Sequence, residues 1–243
     1  MKSASLLRNR LPENARWVVA ALFAVFLLES TAQSASFPCD RAKSATEKTI
    51  CGNPELSTLD EHLGRYYAAA RSALKSADSC LVSDQRNWLR ARRDACSDAG
   101  CLRQVYLQRL AELDPLQPGV TRIRNIELPS VKALVWIVPP ALDKVAAPVN
   151  KQARPLVAQG AILNEVSGGD GFVLRASNGK RMLIAPLMFL ESPTTETLAS
   201  LAKVGGEYEL QGYAEVSGDG STHFAPSRCV FVYRTAPIPK QRG

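Results

Sequence analysis

The six cysteines are the residues of this sequence whose type and spacing define their chemistry best. They are Cys39, Cys51, Cys80, Cys96, Cys101 and Cys229. Structural zinc sites usually contain ligand pairs that lie a few residues apart, and only Cys96 and Cys101 come near that spacing in a chain with 2 histidines. We therefore predict disulfides formed in an oxidising compartment, and no metal site.

Closeness in the chain favours two disulfide pairs. Cys39–Cys51 and Cys96–Cys101 would each close a short loop, and by the chain-entropy estimate such a loop contributes roughly 2–3 kcal/mol to stability. Cys80 and Cys229 are left over and lie far apart in the sequence. Either they clamp two domains together or they stay free, and the sequence leaves both alternatives open.

The sequence contains no recognisable catalytic constellation. Its 2 histidines, His62 and His223, lie outside any motif of a hydrolytic triad. The glycine-rich stretch 168–171 lacks the lysine and the following helix of a phosphate-binding loop. No spacing of carboxylates indicates a glycosidase pair. We therefore predict that the protein is not an enzyme and has no catalytic residues and no cofactor.

Three arginines share one side of a predicted helix, namely Arg86, Arg90 and Arg93. Residues three and four apart are neighbours on a helix surface, so their positive charges lie together. This stripe has two interpretations that the sequence leaves open: a solvated helix face, or a contact surface for an acidic partner.

A second side of the same helix carries Gln85, Trp88 and Arg92. We expect a structural role for this side, with Trp88 filling the core. Arg92 is expected to stack on an aromatic ring or to pair with a carboxylate such as Glu47 or Asp60.

Residues 37–115 have the pattern of a helical scaffold that would position these side chains. Ser44 and Glu47 have the spacing of a capping box, and Asn53-Pro54 is typical of the start of the next helix. Apolar residues then recur at intervals of mostly three and four, which indicates one long amphipathic helix. Two further helices follow, the first running toward Cys96. We predict a small disulfide-stapled helical bundle whose two longest helices are antiparallel.

Residues 156–234 have the pattern of a β-rich domain. Asn178-Gly179 is a hairpin signal, and glycine-rich turns separate the other apolar runs. The predicted helix is 194–203, and the predicted strands are 156–166, 172–176, 181–185, 207–216 and 228–233. Three strands, a helix and two strands is the element order of an OB-type barrel. We therefore predict a two-domain α + β chain, with the helical bundle followed by a small OB-like five-stranded β-barrel with one helix.

The N-terminal residues resemble a secretory signal. Four basic residues precede or flank the start of an unbroken apolar run at 17–28, and small residues follow it. The run has twelve residues, whereas a membrane-spanning helix needs roughly 20, so an uncleaved anchor is the weaker alternative. Cleavage after Ser34 fits best, and a site one or two residues later is the alternative. We assign 1–36 as the signal peptide and expect a periplasmic or secreted protein with no stable membrane anchor after cleavage.

The remaining segments and the charge balance complete the domain assignment. Residues 116–155 are a proline-containing connector with one strand-like run at 133–138, and 235–243 are a tail. Residues 37–115 hold twelve basic and eleven acidic side chains, and residues 116–243 hold fourteen and ten. Neither half has the dense positive charge of a polyanion binder, and export also argues against a nucleic-acid partner.

Four of the cysteines, Cys39, Cys51, Cys96 and Cys101, occur in this order in residues 37–115, and between or after them lie Glu47, Tyr67, Gln85, Trp88, Arg92 and Arg109. In this order residues 37–115 resemble the N-terminal domain of the LprI-like lysozyme inhibitors. The resemblance implies a helical domain in which Glu47, Tyr67, Gln85, Trp88 and Arg92 form the structural motif. This chain departs from the lipoprotein that gave the family its name, because it lacks an evident lipid-anchor cysteine and adds Cys80 and a second domain.

The resemblance implies lysozyme, or another extracytoplasmic protein directed at the envelope, as the partner. Animal lysozymes are generally cationic, so an inhibitor would need a local acidic or shape-matched loop. Asp78 and Asp98 lie in the modest candidates for such a loop. The alternative function is an envelope module that binds glycan or peptidoglycan with its β-domain. Affinity located in 37–115 would favour the first function, and affinity located in 156–234 the second.

Overall fold

The computed structural model of the chain describes residues 35–141, 153–165, 171–218 and 220–235. The predicted signal peptide up to residue 34, most of the turn at 168–171 and nearly all of the predicted tail lie outside these residues. Within the described part, none of the helices combines the length and the apolar character needed to span a bilayer.

The first part of the structure is a bundle of four α-helices. Ser44 accepts a hydrogen bond from Glu47 N while Glu47 Oε2 accepts from Ser44 N, which is the predicted capping box. Asn53 Oδ1 caps the second helix by accepting from Leu56 N at 3.1 Å, and Asp98 caps the fourth. The helices are α1 Ala45–Gly52, α2 Pro54–Leu74, α3 Asp78–Trp88 and α4 Ala99–Leu113.

The two longest helices, α2 and α4, run parallel, so the antiparallel prediction is wrong. Their side-chain contacts pair start with start and end with end: Glu55 with Arg103, Asp60 with Tyr106, and Tyr66 with Asp114. The physical reason is that α3 carries the chain back between them. The apolar stripe of α2 is buried as predicted, at Leu56, Leu59, Leu63, Tyr66, Ala70 and Leu74.

A π-helical turn, Leu89–Arg93, continues α3. Asp94 N donates to Leu89 O at 2.8 Å, a bond that spans five residues where an α-helix spans four. The sequence predicts one regular helix as far as Cys96. The wider turn therefore changes the directions of the arginines at its end.

The second part is a β-sheet closed into a five-stranded barrel. The strands are β1 Ala133–Val138, β2 Arg154–Glu165, β3 Gly171–Arg175, β4 Arg181–Pro186, β5 Tyr208–Val216, β6 Thr222–Phe224 and β7 Val230–Arg234. The sheet order is β1-β7-β5-β2-β3-β4-β6, and β6 also pairs with β5, so β5, β2, β3, β4 and β6 form a ring. Together with α5, Ser192–Val204, this confirms the predicted mixed α + β fold with a five-stranded barrel and one helix.

Two strands differ from the predicted set in their role. The ring is closed by β6, which the sequence does not predict and which pairs parallel to β4 at Leu183 and His223. The strand predicted at 228–233 is β7, which pairs with β5 and β1 beside the ring. The strand-like run 133–138 is β1 and extends the sheet from β7. The connector thus contributes a strand to the sheet.

The described residues contain three disulfides. Cys39–Cys51 and Cys96–Cys101 are the pairs that closeness favours, and both lie in the helical part. Cys80–Cys229 joins α3 to the residue before β7, which answers the question left open for this pair. Buried residues of both parts form one contiguous apolar core. The helical part and the β part are therefore packed against each other and covalently linked, while the predicted domain boundaries remain predictions.

Candidate functional site

A cleft of about 340 Å³ lies where the helical part meets the β part, and we call it the junction cleft. Trp88, Arg92 and Arg109 line it from the helical side, and Lys132, Gln211 and Tyr233 from the β side. The motif residues that α3 and α4 carry thus meet side chains of the connector and the sheet.

Arg109 forms the floor of the junction cleft. Its side chain is 2% exposed, and its guanidinium donates to Asp84 Oδ2 at 2.6 Å and to Glu112 Oε2 at 2.8 Å. A third bond runs from Nε to Gln85 Oε1 at 3.1 Å. Burial opposes the charge, but the two carboxylates outweigh it and raise the pKa of Arg109. This network ties α3 to α4 and fixes the helical wall of the cleft.

Glu209 organises the β wall. Its carboxylate accepts from Lys132 Nζ at 2.5 Å, from Gln211 Nε2 at 2.7 Å and from Gln159 Nε2 at 2.9 Å. Partial burial would raise the pKa of Glu209, but these three hydrogen bonds prevail and lower it. The Lys132 ammonium also lies 4.7 Å from the centre of the Tyr233 ring, so this wall is held by a charge-assisted and cation–π network.

Trp88 and Arg92 connect the cleft to the bundle core. Trp88 is 8% exposed and packs edge-on against Tyr106, with ring centres 5.6 Å apart, so it fills the core as expected. The hydrogen bond of Arg92 is to Gln108 Oε1 at 3.4 Å, and not to Glu47 or Asp60.

The predicted arginine stripe is divided by the π-helical turn. Arg86 and Arg90 are exposed, and neither forms a hydrogen bond or ion pair with another described residue. Arg93 is instead 14% exposed and donates to Asp94 Oδ1 at 2.8 Å. Burial opposes the charge of Arg93, but Asp94, Tyr106 and Asp60 raise its pKa. We call Arg86 and Arg90 the arginine pair, because these two are available to a partner.

The two acidic residues predicted as binding candidates have structural partners. Asp78 receives two hydrogen bonds from Arg71, at 2.5 and 2.8 Å, which lower the pKa of its carboxyl group. Asp98 accepts from Cys101 N at 2.9 Å as the cap of α4, and this bond lowers its pKa as well. Both carboxylates are thus already paired within the protein.

The remaining motif residues support the bundle. Glu47 Oε2 accepts from the backbone of Ser44 and Lys43, and these bonds lower its pKa. Tyr67 is half-buried, and the Arg71 guanidinium lies 5.7 Å from its ring centre. Glu47 and Tyr67 therefore stabilise the helical part and do not line the junction cleft.

A larger groove of about 910 Å³ lies between α2, α4 and the segment 125–130. Its charged pair, Glu55 with Arg103, is more than half exposed on both side chains. Exposed ion pairs of this kind contribute little to stability. The junction cleft and the arginine pair are therefore the stronger candidates for function.

The histidines and acidic side chains do not converge on a metal site in the described ranges. No three His, Cys, Asp or Glu side chains there lie close enough together to hold an ion. His223 Nδ1 lies 3.1 Å from the Phe224 carbonyl oxygen, and His62 contacts Arg65 on the surface of α2.

Sequence reasoning missed most of the junction cleft. Arg109 follows Tyr106 by three residues and precedes Leu113 by four on the buried face of α4, and a cation in an apolar stripe is a signal of a buried ion pair. Asp84, Lys132 and Glu209 gave no such signal, because the charged groups that they pair with lie on other elements.

Comparison with known proteins gives a match to a protein family. Residues 39–113 match the family model described as "Lysozyme inhibitor LprI". Searches of curated proteins and of solved structures found no match. The family match and the three disulfides together indicate an extracytoplasmic protein. Residues 39–113 of the helical part are thus similar to the lysozyme inhibitor LprI family, and the match does not extend to the β part.

Proposed function

We propose that this chain is an exported protein that inhibits a lysozyme, or binds a similar envelope-directed protein, through the arginine pair. The observation that carries the proposal is that Arg86 and Arg90 are exposed and form no hydrogen bond or ion pair with another described residue, within the segment that matches the inhibitor family. A signal peptide that ends near residue 34 would bring the protein to the periplasm or the medium.

The charge of a lysozyme active site supports this choice of surface. Lysozymes cleave glycosidic bonds with a pair of carboxyl groups that flank the scissile bond. A guanidinium is shaped to bind a carboxylate with two hydrogen bonds, and it stays charged when it loses water. Arg86 and Arg90 are one helical turn apart, so both can enter one acidic cleft. Residues 37–115 carry a net charge of +1, so electrostatic repulsion between this part and a cationic enzyme is weak.

The scaffold behind the arginine pair is rigid. Cys80–Cys229 holds the first turn of α3 to the β part, and Gln85 and Asp84 hold its middle to Arg109. Binding through side chains on such a fixed element orders little of the rest of the protein, so it costs little conformational entropy.

The test is the rate of cell-wall lysis by c-type and g-type lysozymes in the presence of the oxidised, processed protein. We expect inhibition at about micromolar concentration or below, and a loss of at least about tenfold in the variant Arg86→Ala/Arg90→Ala. The matched control is Arg124→Ala/Arg154→Ala, which removes the same charge from two exposed arginines in the connector and β2. This control should inhibit as the wild type does.

Two results would contradict the proposal. Wild-type protein that leaves lysis unchanged would exclude inhibition of these enzymes. Equal losses in the two double variants would show that only the overall charge matters, and not the arginine pair.

A glycan ligand is the second candidate, and the junction cleft favours it. Asn87, Gln108 and Gln211 offer hydrogen-bonding amides beside Trp88 and Tyr233, a combination of polar and aromatic groups that suits a small polar ligand. Calorimetric titration with soluble peptidoglycan fragments tests it: binding that is lost in Gln211→Ala and kept in Arg86→Ala/Arg90→Ala would support this function. No heat of binding would reject it.

A further inference from the structure

A buried carboxylate that binds the first described residues of the chain points to where the protein is processed. Asp60, on α2, is 4% exposed. Its Oδ2 accepts from Ser36 N at 2.7 Å and from Ser36 Oγ at 2.6 Å, and its Oδ1 accepts from Tyr106 Oη at 2.6 Å. Burial, followed by the nearby Asp60 charge, raises the pKa of Tyr106, so this hydroxyl stays a donor. Among the described residues, Ser36 therefore supplies two of the three hydrogen bonds that this carboxylate accepts.

The backbone of α2 is also adapted to Ser36. Gly64 lies in the interior of this helix, where glycine is unfavourable relative to alanine. A Cβ built on Gly64 would lie 3.0 Å from Ser36 Cβ, which is closer than such atoms normally approach. Ala35, the neighbour of Ser36, is 6% exposed and belongs to the apolar core. Two independent features, a carboxylate and a glycine, thus fit residues 35–36.

Two cleavage sites that have small residues at the positions a signal peptidase requires lie beside residues 35–36. Cleavage after Ser34 uses Ala32 and Ser34, and cleavage after Ser36 uses Ser34 and Ser36. The second cleavage would remove Ser36 and leave Asp60 Oδ2 without both donors, and a buried acceptor that loses its partners is destabilising. The first cleavage keeps Ala35 and Ser36 in the mature chain.

We propose that the exported protein is processed between Ser34 and Ala35, and that residues 35–36 form a docked N-terminus which closes the helical part over Asp60. The inference rests on the export proposed above and is independent of lysozyme inhibition. A protein that does not inhibit lysozyme would leave it intact.

The mature terminus is read directly by intact mass and N-terminal sequencing of the exported protein. We expect a chain that begins at Ala35. A chain that begins at Phe37, or one that keeps its first 34 residues, would overturn the proposal.

The docking itself is tested by comparing two purified chains, 35–243 and 37–243, and it does not depend on export. We expect the longer chain to melt about 4 °C higher or more, because it keeps two hydrogen bonds to a charged group. Equal melting temperatures would overturn the proposal.

The variant Gly64→Ala gives a second measurement whose size distinguishes the two chains. In 37–243 the added methyl should raise the melting temperature, because alanine is the better helix former. In 35–243 the gain should be smaller or reversed, because the methyl would lie 3.0 Å from Ser36 Cβ and Ser36 must shift away from it. Gly52→Ala is the control, since its Cβ would meet nothing within 4 Å. A Gly64→Ala shift of the same size in both chains would contradict docking.

Discussion

Arg109 shows how one residue can hold the helical wall of the junction cleft. Its guanidinium is buried with Asp84 and Glu112, and removal of one partner from a buried ionic group leaves the others uncompensated. We expect Arg109→Ala to lower the free energy of unfolding by about 3–5 kcal/mol. Urea denaturation followed by the fluorescence of the tryptophans measures this.

The control for that prediction is Arg103→Ala on the same helix. The pair of Arg103 with Glu55 is exposed, with side chains 53% and 58% accessible, so its loss should cost less than about 1 kcal/mol. Similar losses in both variants would show that the Arg109 network does not stabilise the junction.

Glu209 predicts how acid weakens the β wall of the cleft. In the unfolded chain the pKa of this carboxyl group is near its ordinary value of 4.5, and in the folded chain the pKa is lower. The folded state therefore binds fewer protons in this range, so stability that is present above the unfolded pKa is lost as the pH falls through the folded pKa. Between about pH 5 and pH 3, the free energy of unfolding should fall more steeply in the wild type than in Glu209→Gln.

The comparison for the acid series is Glu207→Gln, which changes an exposed neighbour whose side chain has no described partner. It should keep the wild-type slope. An unchanged slope in Glu209→Gln would refute the assignment of acid sensitivity to the Lys132–Glu209 contact.

At the residue scale, the sequence predicts which side chains are buried better than it predicts which side chains form ion pairs. The burial of Trp88 and of the α2 stripe follows from helical periodicity, which depends on local spacing alone. The ion pairs of Arg109 and Lys132 depend on helices and strands meeting in space. Glu209 lies 77 residues from Lys132 in the chain, and no local pattern connects them.

At the element scale, the π-helical turn decides which arginines face solvent. The extra residue in the turn places Arg93 against Asp94 and near Asp60, whereas Arg86 and Arg90 stay outside. Periodicity predicts the helix but not this insertion, because both hydrogen-bond patterns fit the same residues. The direction of α4 relative to α2 was unpredictable for the same reason, since an apolar stripe identifies the buried face and not the direction of the neighbour.

Gly160 provides an element-scale prediction for the barrel. It lies in β2, and a Cβ there would be 2.2 Å from the carbonyl oxygen of Arg175, a backbone atom at the end of β3. Since that backbone cannot move without disturbing the β2–β3 pairing, Gly160→Ala should destabilise the protein by at least about 2 kcal/mol.

Chemical denaturation of Gly160→Ala beside Gly52→Ala measures the difference. Gly52 ends α1 in open space, so its substitution should change stability by less than about 1 kcal/mol. A well-tolerated Gly160→Ala would mean that β2 and β3 do not approach as closely as the structure shows.

The barrel's element order was predictable, but its closure was not. Hairpin signals and turns predicted three strands, the helix and β5 in that order, which the structure confirms, whereas the last predicted strand is β7, beside the ring. Strand β6 has three residues, too few for alternation to be detected. The change of partner along β5, from β7 at 208–211 to β6 at 214–216, could not be predicted from a single sequence.

At the scale of the whole molecule, Cys80–Cys229 links the helical part to the β part across 149 residues of chain. By the chain-entropy estimate such a loop contributes about 5 kcal/mol, and a loop like that of Cys96–Cys101 about 2 kcal/mol. We therefore expect Cys80→Ser/Cys229→Ser to lower the unfolding midpoint in urea more than Cys96→Ser/Cys101→Ser does. The opposite order would show that core packing alone joins the two parts.

The central claim is that the arginine pair enters the substrate cleft of a lysozyme. The most direct measurement is the mode of inhibition, determined with a soluble oligosaccharide substrate at several concentrations of the oxidised protein. The account predicts competitive inhibition, with KM raised and kcat unchanged, and a weaker effect in Arg86→Ala/Arg90→Ala. Inhibition that lowers kcat at constant KM, or no inhibition at all, would contradict it.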